Sequence, residues 1–523
     1  MTRLAAVFLL LATLGAQAQG VLNRGNSFEP DSLDPHFAGT TAESNIIGDL
    51  LEGLTAFNAA GKPMPGIAER WETSKDGLTW TFHLRKAAWS NGDPVTAQDF
   101  VWSWRRMLAP KTAGRSAQNL WVLKNARAIS GGRLPVTALG ASAPDARTVI
   151  VTLEHPAPYL PELMAFTSAL PVPRKVVEAR GNGWSRPGTY VSNGPYTLKD
   201  WVPNDHVTLV KNPRFHDAAR VRIGTVNFYP TVDTQAALRR LRAGELDMQS
   251  PLPSAQVEWL RANMPKALHI VPSLAIAYMP MNLRDPALKD IRVRRALNLV
   301  YDREAVAQKV MKLGETPAYA FVPPRIGNYA GGPQLPFRSM PMPARVAEAR
   351  RLMQDAGYGP FNKLRLDLNT TGNPDNRRIA AVFQAMARQI YVDVQIRVSD
   401  YQVMLKAMRQ GQFQLGLNSW LADFDDASNF LDLLRTGSPT NYAGYSNPKF
   451  DAAMERAAAE PDAGKRRLLL QAAERIAQAD MPWLVIRNYS QSEAVAPRVG
   501  GYVSNSRMVN RSRWLWLKQV GFN

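Results

Sequence analysis

Cysteine is absent from all 523 residues. That excludes any disulfide, thiolate metal site or cysteine nucleophile, and also the lipid-attachment thiol of a bacterial lipoprotein. Histidine is scarce. The six present (His36, His83, His155, His206, His216 and His269) form neither an H-E-x-x-H nor an H-x-x-x-H pattern. The closest two, His206 and His216, flank an expected turn and make a poor metal pair. A G-x-S-x-G elbow, a P-loop and a G-x-G-x-x-G fingerprint are all missing. So are zinc-finger spacing and an RNA-binding aromatic signature. Beyond the N-terminus there is no uninterrupted apolar run of the roughly 20 residues that a membrane span needs. Carboxylates are plentiful, and Asp423, Asp425 and Asp426 cluster. An acidic pair can run glycoside hydrolysis, but acids crowded on one loop are usually solvated or capping.

The first residues have the build of an export signal. Arg3 supplies a positive charge, Leu4 to Leu14 an apolar run, and Ala16-Gln17-Ala18 a cleavage site. Cleavage after Ala18 would leave 505 residues (523 − 18) beginning at Gln19. The chain carries 63 Lys and Arg against 44 Asp and Glu, a net +19, of which Arg3 accounts for one. Such a surface can attract acidic ligands, anionic lipid or nucleic acid. Solubility is the preferred reading, and nucleic acid does not suit an exported chain.

Periodicity outlines the elements. Val21 to Phe28 reads as a strand and Ser32-Leu33-Asp34-Pro35 as a turn. Ile46, Ile47, Leu50, Leu51 and Leu54 recur at helical spacing, predicting a helix from Glu43 to Leu54. Trp80, Phe82 and Leu84 alternate as in a strand, and Thr96 suits the N-cap of a helix through Leu108. Strands are expected at 148–153, 196–198, 207–211, 364–368, 392–398 and 413–420. Helices are expected at 235–243, 344–356, 376–390, 401–409, 450–459 and 463–479. The stretch Asp290 to Lys309 reads as helix broken near Tyr301-Asp302. Strands alternating with helices in the second half predict an α/β lobe, and the strand-rich first third an α+β insertion.

From Leu22 to about Gly501 the chain resembles the oligopeptide-binding proteins of bacterial ABC importers, the family 5 extracellular solute-binding proteins. The blocks are collinear. They begin with Ser32-Leu33-Asp34-Pro35-His36 and Pro65-Gly66-Ile67-Ala68-Glu69-Arg70-Trp71. Trp80-Thr81-Phe82-His83-Leu84-Arg85 and Trp89 to Ala97 are the most specific. Asn193-Gly194-Pro195-Tyr196, Gly244 to Met248, Asp290 to Arg294, Trp420-Leu421-Ala422-Asp423 and Val499 to Tyr502 follow. The resemblance implies a two-lobed periplasmic binding protein fold, type II-like, with an additional smaller α+β domain. It divides the chain into a first lobe (19–51, 174–274 and 491–523), an inserted domain (52–173) and a second lobe (275–490). It implies a monomeric periplasmic receptor that takes oligopeptides between its lobes and passes them to an inner-membrane ABC permease. No catalysis, metal or cofactor is expected. Murein peptides, a nickel chelate or an oligosaccharide remain alternative cargoes within this fold, and a secreted hydrolase the alternative outside it.

Extended peptides share a main chain, which strands can pair with, and an amino group that is largely protonated at neutral pH. The resemblance implies that Asp423 meets that group and that Trp420 forms a pocket wall. Tyr278 and Tyr401 match aromatic cleft positions, and Ser116 stands where an aromatic residue would be expected. Met311, Met408 and Leu417 fall where relatives place basic residues, leaving the anchor for the peptide carboxylate open among Lys312, Lys406 and Arg409. Some family members join the strand near Ala275 to the loop at Leu421 by a disulfide. Lacking cysteine, this chain is expected to hold that loop by packing alone.

Overall fold

The computed structural model of the chain describes residues 20–518. The expected leader and the cleavage site before Gln19 lie outside them. No helix among the described residues is long and apolar enough to cross a membrane.

Two large hydrophobic cores organise the molecule. One gathers residues from Leu22 to Phe228, joined by Val495, Val499 and Leu515 from near the C-terminus. The other runs from Val257 to Ile486. The first takes in residues of the stretch expected as an inserted domain and of the expected first lobe, while several residues from Ala237 to Leu260 gather in a smaller cluster of their own. Within the inserted domain, strands Ala68–Thr73, Thr79–Leu84, Thr148–Thr152 and Ala141–Asp145 form an antiparallel sheet in that spatial order. Trp80, Phe82 and Leu84 face its core, as their alternation predicts. Helix Ala97–Leu108 starts at a capping box between Thr96 and Asp99 and seals the sheet with Phe100, Trp104 and Met107.

A nine-stranded sheet runs through both halves. Strands Tyr196–Val202, His206–Lys211, Thr225–Tyr229, Val21–Gly25 and Met248–Gln249 make up one side. Two 13-residue strands, Leu268–Pro280 and Trp483–Val495, continue it antiparallel to each other, Asn418–Leu421 closes the far edge, and the short Thr316–Pro317 pairs with Trp483–Val495 off this path. The two long strands were not read as strands from the sequence, and both expected lobe boundaries fall inside them. Their register shifts between Pro272 and Ile276 and again between Ala277 and Tyr278, interrupting the regular ladder. In the second half, Val392–Ser399, Leu364–Thr371 and Leu415–Gly416 form a small parallel sheet with helix Pro374–Arg388 against it, the expected α/β unit.

Several boundaries differ from expectation, each for a local reason. The first helix is Thr41–Leu50 and stops short of Leu54. The Leu50 carbonyl accepts from Gly194 N–H at 3.0 Å, and Glu52 N–H donates to Asn193 Oδ1 at 3.0 Å. The Asn193-Gly194 reversal thus takes the place of another helical turn. Only glycine fits there, because a Cβ on Gly194 would lie 2.7 Å from the Leu50 carbonyl. The first strand ends at Gly25 rather than Phe28. The helix after Asp290 ends at Val300, and after Tyr301-Asp302 a π-helical turn, Ala305–Met311, takes over. The expected strand 413–420 is two strands in two different sheets. Leu415–Gly416 pairs parallel with Leu368 and Asn369, and Asn418–Leu421 pairs antiparallel with Tyr278 to Ala275.

Candidate functional site

The change of sheet at Leu417 builds the site. Leu417 N–H donates to the Asn369 carbonyl at 2.9 Å, and its side chain is buried in the second core. Beyond it, Asn418–Leu421 reaches the edge of the large sheet, and Ala422 N–H extends the ladder to the Leu274 carbonyl at 2.8 Å. Ala275 and Leu421 face each other in that ladder. The expectation that packing alone holds this loop is therefore corrected: backbone hydrogen bonds fix it as well.

The loop after the strand sorts its three carboxylates. Asp426 forms a two-toothed ion pair with Arg466 at 2.6 and 2.8 Å, accepts from Asn328 Nδ2 at 2.6 Å and caps Ser428 N–H. Asp425 accepts from Gly327 N–H at 2.9 Å. Asp423 is different. No cation lies within 4.0 Å of its carboxylate among the described residues. Burial pushes its carboxyl up to about 7, against the weaker opposing pull of Asn429, Arg507 and Asn119. Asp426 is thus tied to Arg466 and Asn328, and Asp425 to Gly327.

Asn429 organises the wall beside Asp423. Its Oδ1 accepts from Trp420 Nε1 at 2.7 Å and from Asp423 N–H at 3.3 Å, so Trp420 is oriented by a hydrogen bond as well as by packing. Tyr278 is 0 % exposed, its ring 4.2 Å from that of Trp483 and its hydroxyl 3.4 Å from Asn418 Nδ2. Tyr401, the first residue of helix Tyr401–Arg409, is 43 % exposed. Ser116, half-buried, precedes the short turn that carries Asn119. Met311 and Met408 are buried in the second half, like Leu417. Of the nearby cations, Lys312 pairs with Glu258 at 3.0 Å, and Lys406 and Arg409 are exposed. His206 and His216 go separate ways, to Asp205 at 2.9 Å and to Glu52 at 2.5 Å.

Three residues that sequence reading missed meet at this loop. Asn119, from the inserted domain, acts on the Asp423 carboxyl. Glu162, also from that domain, accepts from Asp425 N–H at 2.8 Å and pairs with Arg507. Arg507 donates to the Asp423 carbonyl at 3.4 Å. Proximity to Ser116 was the one available hint for Asn119. Glu162 and Arg507 carried none, because each is a single charge far from the loop in sequence.

The arrangement is thus a carboxylate at a sheet edge, enclosed by segments from both halves. Comparisons with known proteins agree with that form. Residues 62–442 match the family model for the middle region of bacterial extracellular solute-binding proteins, family 5. The chain is 35 % identical over 497 residues to the periplasmic oligopeptide-binding protein OppA of Escherichia coli, covering 94 % of this chain and 91 % of that protein. It is also 35 % identical over 505 residues to the probable deoxycholate-binding periplasmic protein YgiS of the same organism, covering 96 % and 94 %. Among solved structures, Burkholderia pseudomallei OppA superposes with a TM-score of 0.90 at 36 % identity, covering 96 % of this chain and 99 % of that one. The E. coli murein tripeptide-binding protein MppA matches at 0.90 and 33 % identity, with 95 % and 98 % covered. A structure of MppA in an unliganded open form matches at 0.74 and 33 %, with 96 % and 98 % covered. On its sequence, its two-lobed fold and the length over which both agree, the chain belongs to family 5 of the bacterial extracellular solute-binding proteins.

Proposed function

We propose that the protein is a non-enzymatic periplasmic receptor that captures oligopeptides between its lobes and delivers them to an ABC permease. The observation that carries this reading is Asp423. A half-buried carboxylate between segments of both halves, with no cation within 4.0 Å among the described residues and its acidity weakened by desolvation, suits a cationic ligand group that replaces lost water. The peptide α-ammonium is such a group, and the neighbouring edge Asn418–Leu421 offers main-chain pairing to an extended chain. The lobe boundaries near residues 274 and 490 fall within the two crossing strands, whose register shifts there and which we take as the hinge. Export after cleavage at Ala18, a monomeric state and the permease partner belong to the same reading.

A second reading, another solute in the same cleft, has one observation in its favour: the deoxycholate-binding relative is as similar as the peptide-binding one. Asp423 argues against an anion at that spot, since an ionised carboxylate repels one.

Asp423→Asn keeps the shape and removes the charge; acetylating the peptide removes the other charge. Breaking a buried charge-assisted pair costs about 2–5 kcal/mol, roughly 30-fold to several thousand-fold in affinity. Calorimetry on the four combinations should show losses smaller together than their sum, because one interaction is broken twice. Strictly additive losses, or tight binding of acetylated peptide by the unmutated protein, would remove Asp423 as the amino clamp. Mass spectrometry of what co-purifies from a peptide mixture separates the cargoes: intact peptides fit a receptor, cleaved peptides an enzyme, and none another solute.

A further inference from the structure

Phe424 follows Asp423 in the second lobe's loop, yet it is 8 % exposed and packs into the core of the other half. Its ring lies 4.0 Å from that of Tyr159, almost parallel at 8°. Tyr159 immediately precedes the short helix Leu160–Leu163 of the inserted domain, which also carries Glu162. Glu162 and Arg507 hold the backbone on both sides of the Phe424 ring: Glu162 accepts from Asp425 N–H, and Arg507 donates to the Asp423 carbonyl. The side chain that the other half receives and the carboxylate offered to ligand are therefore adjacent residues, their Cα atoms about 3.8 Å apart across one rigid peptide unit.

We propose that Phe424, seated against Tyr159 and clasped by Glu162 and Arg507, is the key that couples occupancy of Asp423 to docking of the second lobe on the inserted domain. When the halves part, the Phe424 ring is exposed to water; when they meet, it regains an apolar socket and an aromatic partner. A ligand that draws Asp423 into place brings Phe424 to its socket in the same movement. Tyr159 and Glu162 are closure residues rather than ligand contacts. Their loss should speed ligand release while leaving the penalty for acetylating the peptide intact. The coupling to occupancy rests on the receptor reading; the docking itself does not.

The absence of native cysteine allows a clean distance measurement. Spin labels on Arg133→Cys, in the inserted domain, and Arg456→Cys, on the second lobe, are both at exposed positions. Pulsed dipolar spectroscopy is run without ligand and with a saturating peptide mixture, and calorimetry with that mixture tests the receptor reading separately. Phe424→Ala should lower the ratio of short to long distances by about ten- to a hundredfold, the scale expected for re-exposing a buried aromatic ring. Tyr159→Ala should do the same, whereas Tyr159→Phe, which keeps the stack, should leave it near the unmutated value. Circular dichroism and thermal unfolding confirm that each variant folds. An unchanged distance ratio in folded Phe424→Ala and Tyr159→Ala overturns the proposal, as does an unmutated protein that never populates the short distance. If calorimetry shows no peptide binding while the short distance is present and sensitive to Phe424, the receptor reading fails and the docking key stands.

Discussion

Glu52 is a buried carboxylate and Asp423 a half-buried one, and their surroundings treat them in opposite ways. Burial works against ionisation of Glu52, but Arg513 and His216 outweigh it and hold its carboxyl below the usual range. Around Asp423 the same burial meets only amides and a more distant guanidinium, and the carboxyl rises to about 7. The first is an internal joint that ties the C-terminal segment to the helix Thr41–Leu50 region. The second is a group whose ionisation is opposed more than it is supported, which is what the proposed pairing with a cationic ligand group requires.

The sharpest way to break the contrast is to make Glu52 resemble Asp423. Arg513→Met leaves Glu52 without its guanidinium and should cost about 3–5 kcal/mol of stability in urea unfolding. The pH dependence follows from the sign of the shift. A depressed carboxyl contributes stability above its unfolded value near 4.5 and loses it as pH falls through the lower folded value. The variant should therefore lose most at neutral pH and converge on the unmutated protein in acid. Equal losses at all pH values would show that Arg513 acts through packing on Phe215 and Trp514, whose rings lie 4.8 and 4.5 Å away.

Asp423 should show the reverse slope. Its raised carboxyl means that the closed, ligand-free protein binds a proton that the unfolded chain releases above pH 3.8. Its contribution should fall as pH rises from about 4 to 7. Asp423→Asn should consequently gain stability over the unmutated protein above pH 7, on the order of 1–2 kcal/mol and limited by the cost of simply opening the cleft. Glu474 and Glu493 are also raised to about 7, so the difference between variants, rather than either curve, carries the result. A flat difference would place Asp423 on the same footing as a solvated acid.

The smallest effect tests the amides. Asn119→Ala removes an amide that favours the ionised Asp423 and also donates to Ser168 Oγ at 3.4 Å, and should cost about 0.5–1.5 kcal/mol. The midpoint of the Asp423 slope should move upward in pH, because a hydrogen bond that favours the ionised form is lost. An unmoved midpoint would mean that desolvation, Asn429 and Arg507 set the environment without Asn119.

Much of the scaffold was legible because its periodicity is local. The alternation of Trp80, Phe82 and Leu84, the Thr96 capping box and helix Tyr401–Arg409 each follow from neighbouring residues. The break at Leu417 was not, since an alternating run looks the same whether one sheet or two receive it, and the partners at Asn369 and Tyr278 are distant in sequence. The crossing strands were missed for a related reason: strands buried on both faces lose the alternation that marks a half-buried one. At the site, Asp423 emerged through family resemblance rather than through pattern. Asn119, Glu162 and Arg507 stayed hidden because their roles exist only once three chain segments meet. Tyr278, expected at the cleft, is enclosed beside Trp483, while Tyr401 is open, a distinction that residue type does not encode.

The way the first lobe is stitched also sets an order of assembly. Its sheet begins with Val21–Gly25, but Arg24 donates to Ser512, Asp49 accepts from Ser512 N–H, and Glu52 waits for Arg513. These partners are separated by 461 to 488 residues. During synthesis, the α/β half can gather its contiguous core from Val257 onward, while the half begun first lacks its closing pieces until almost the last residue has emerged. Contacts of such long range form late, so a growing chain remains incomplete, and threadable, for nearly the whole time it is being made.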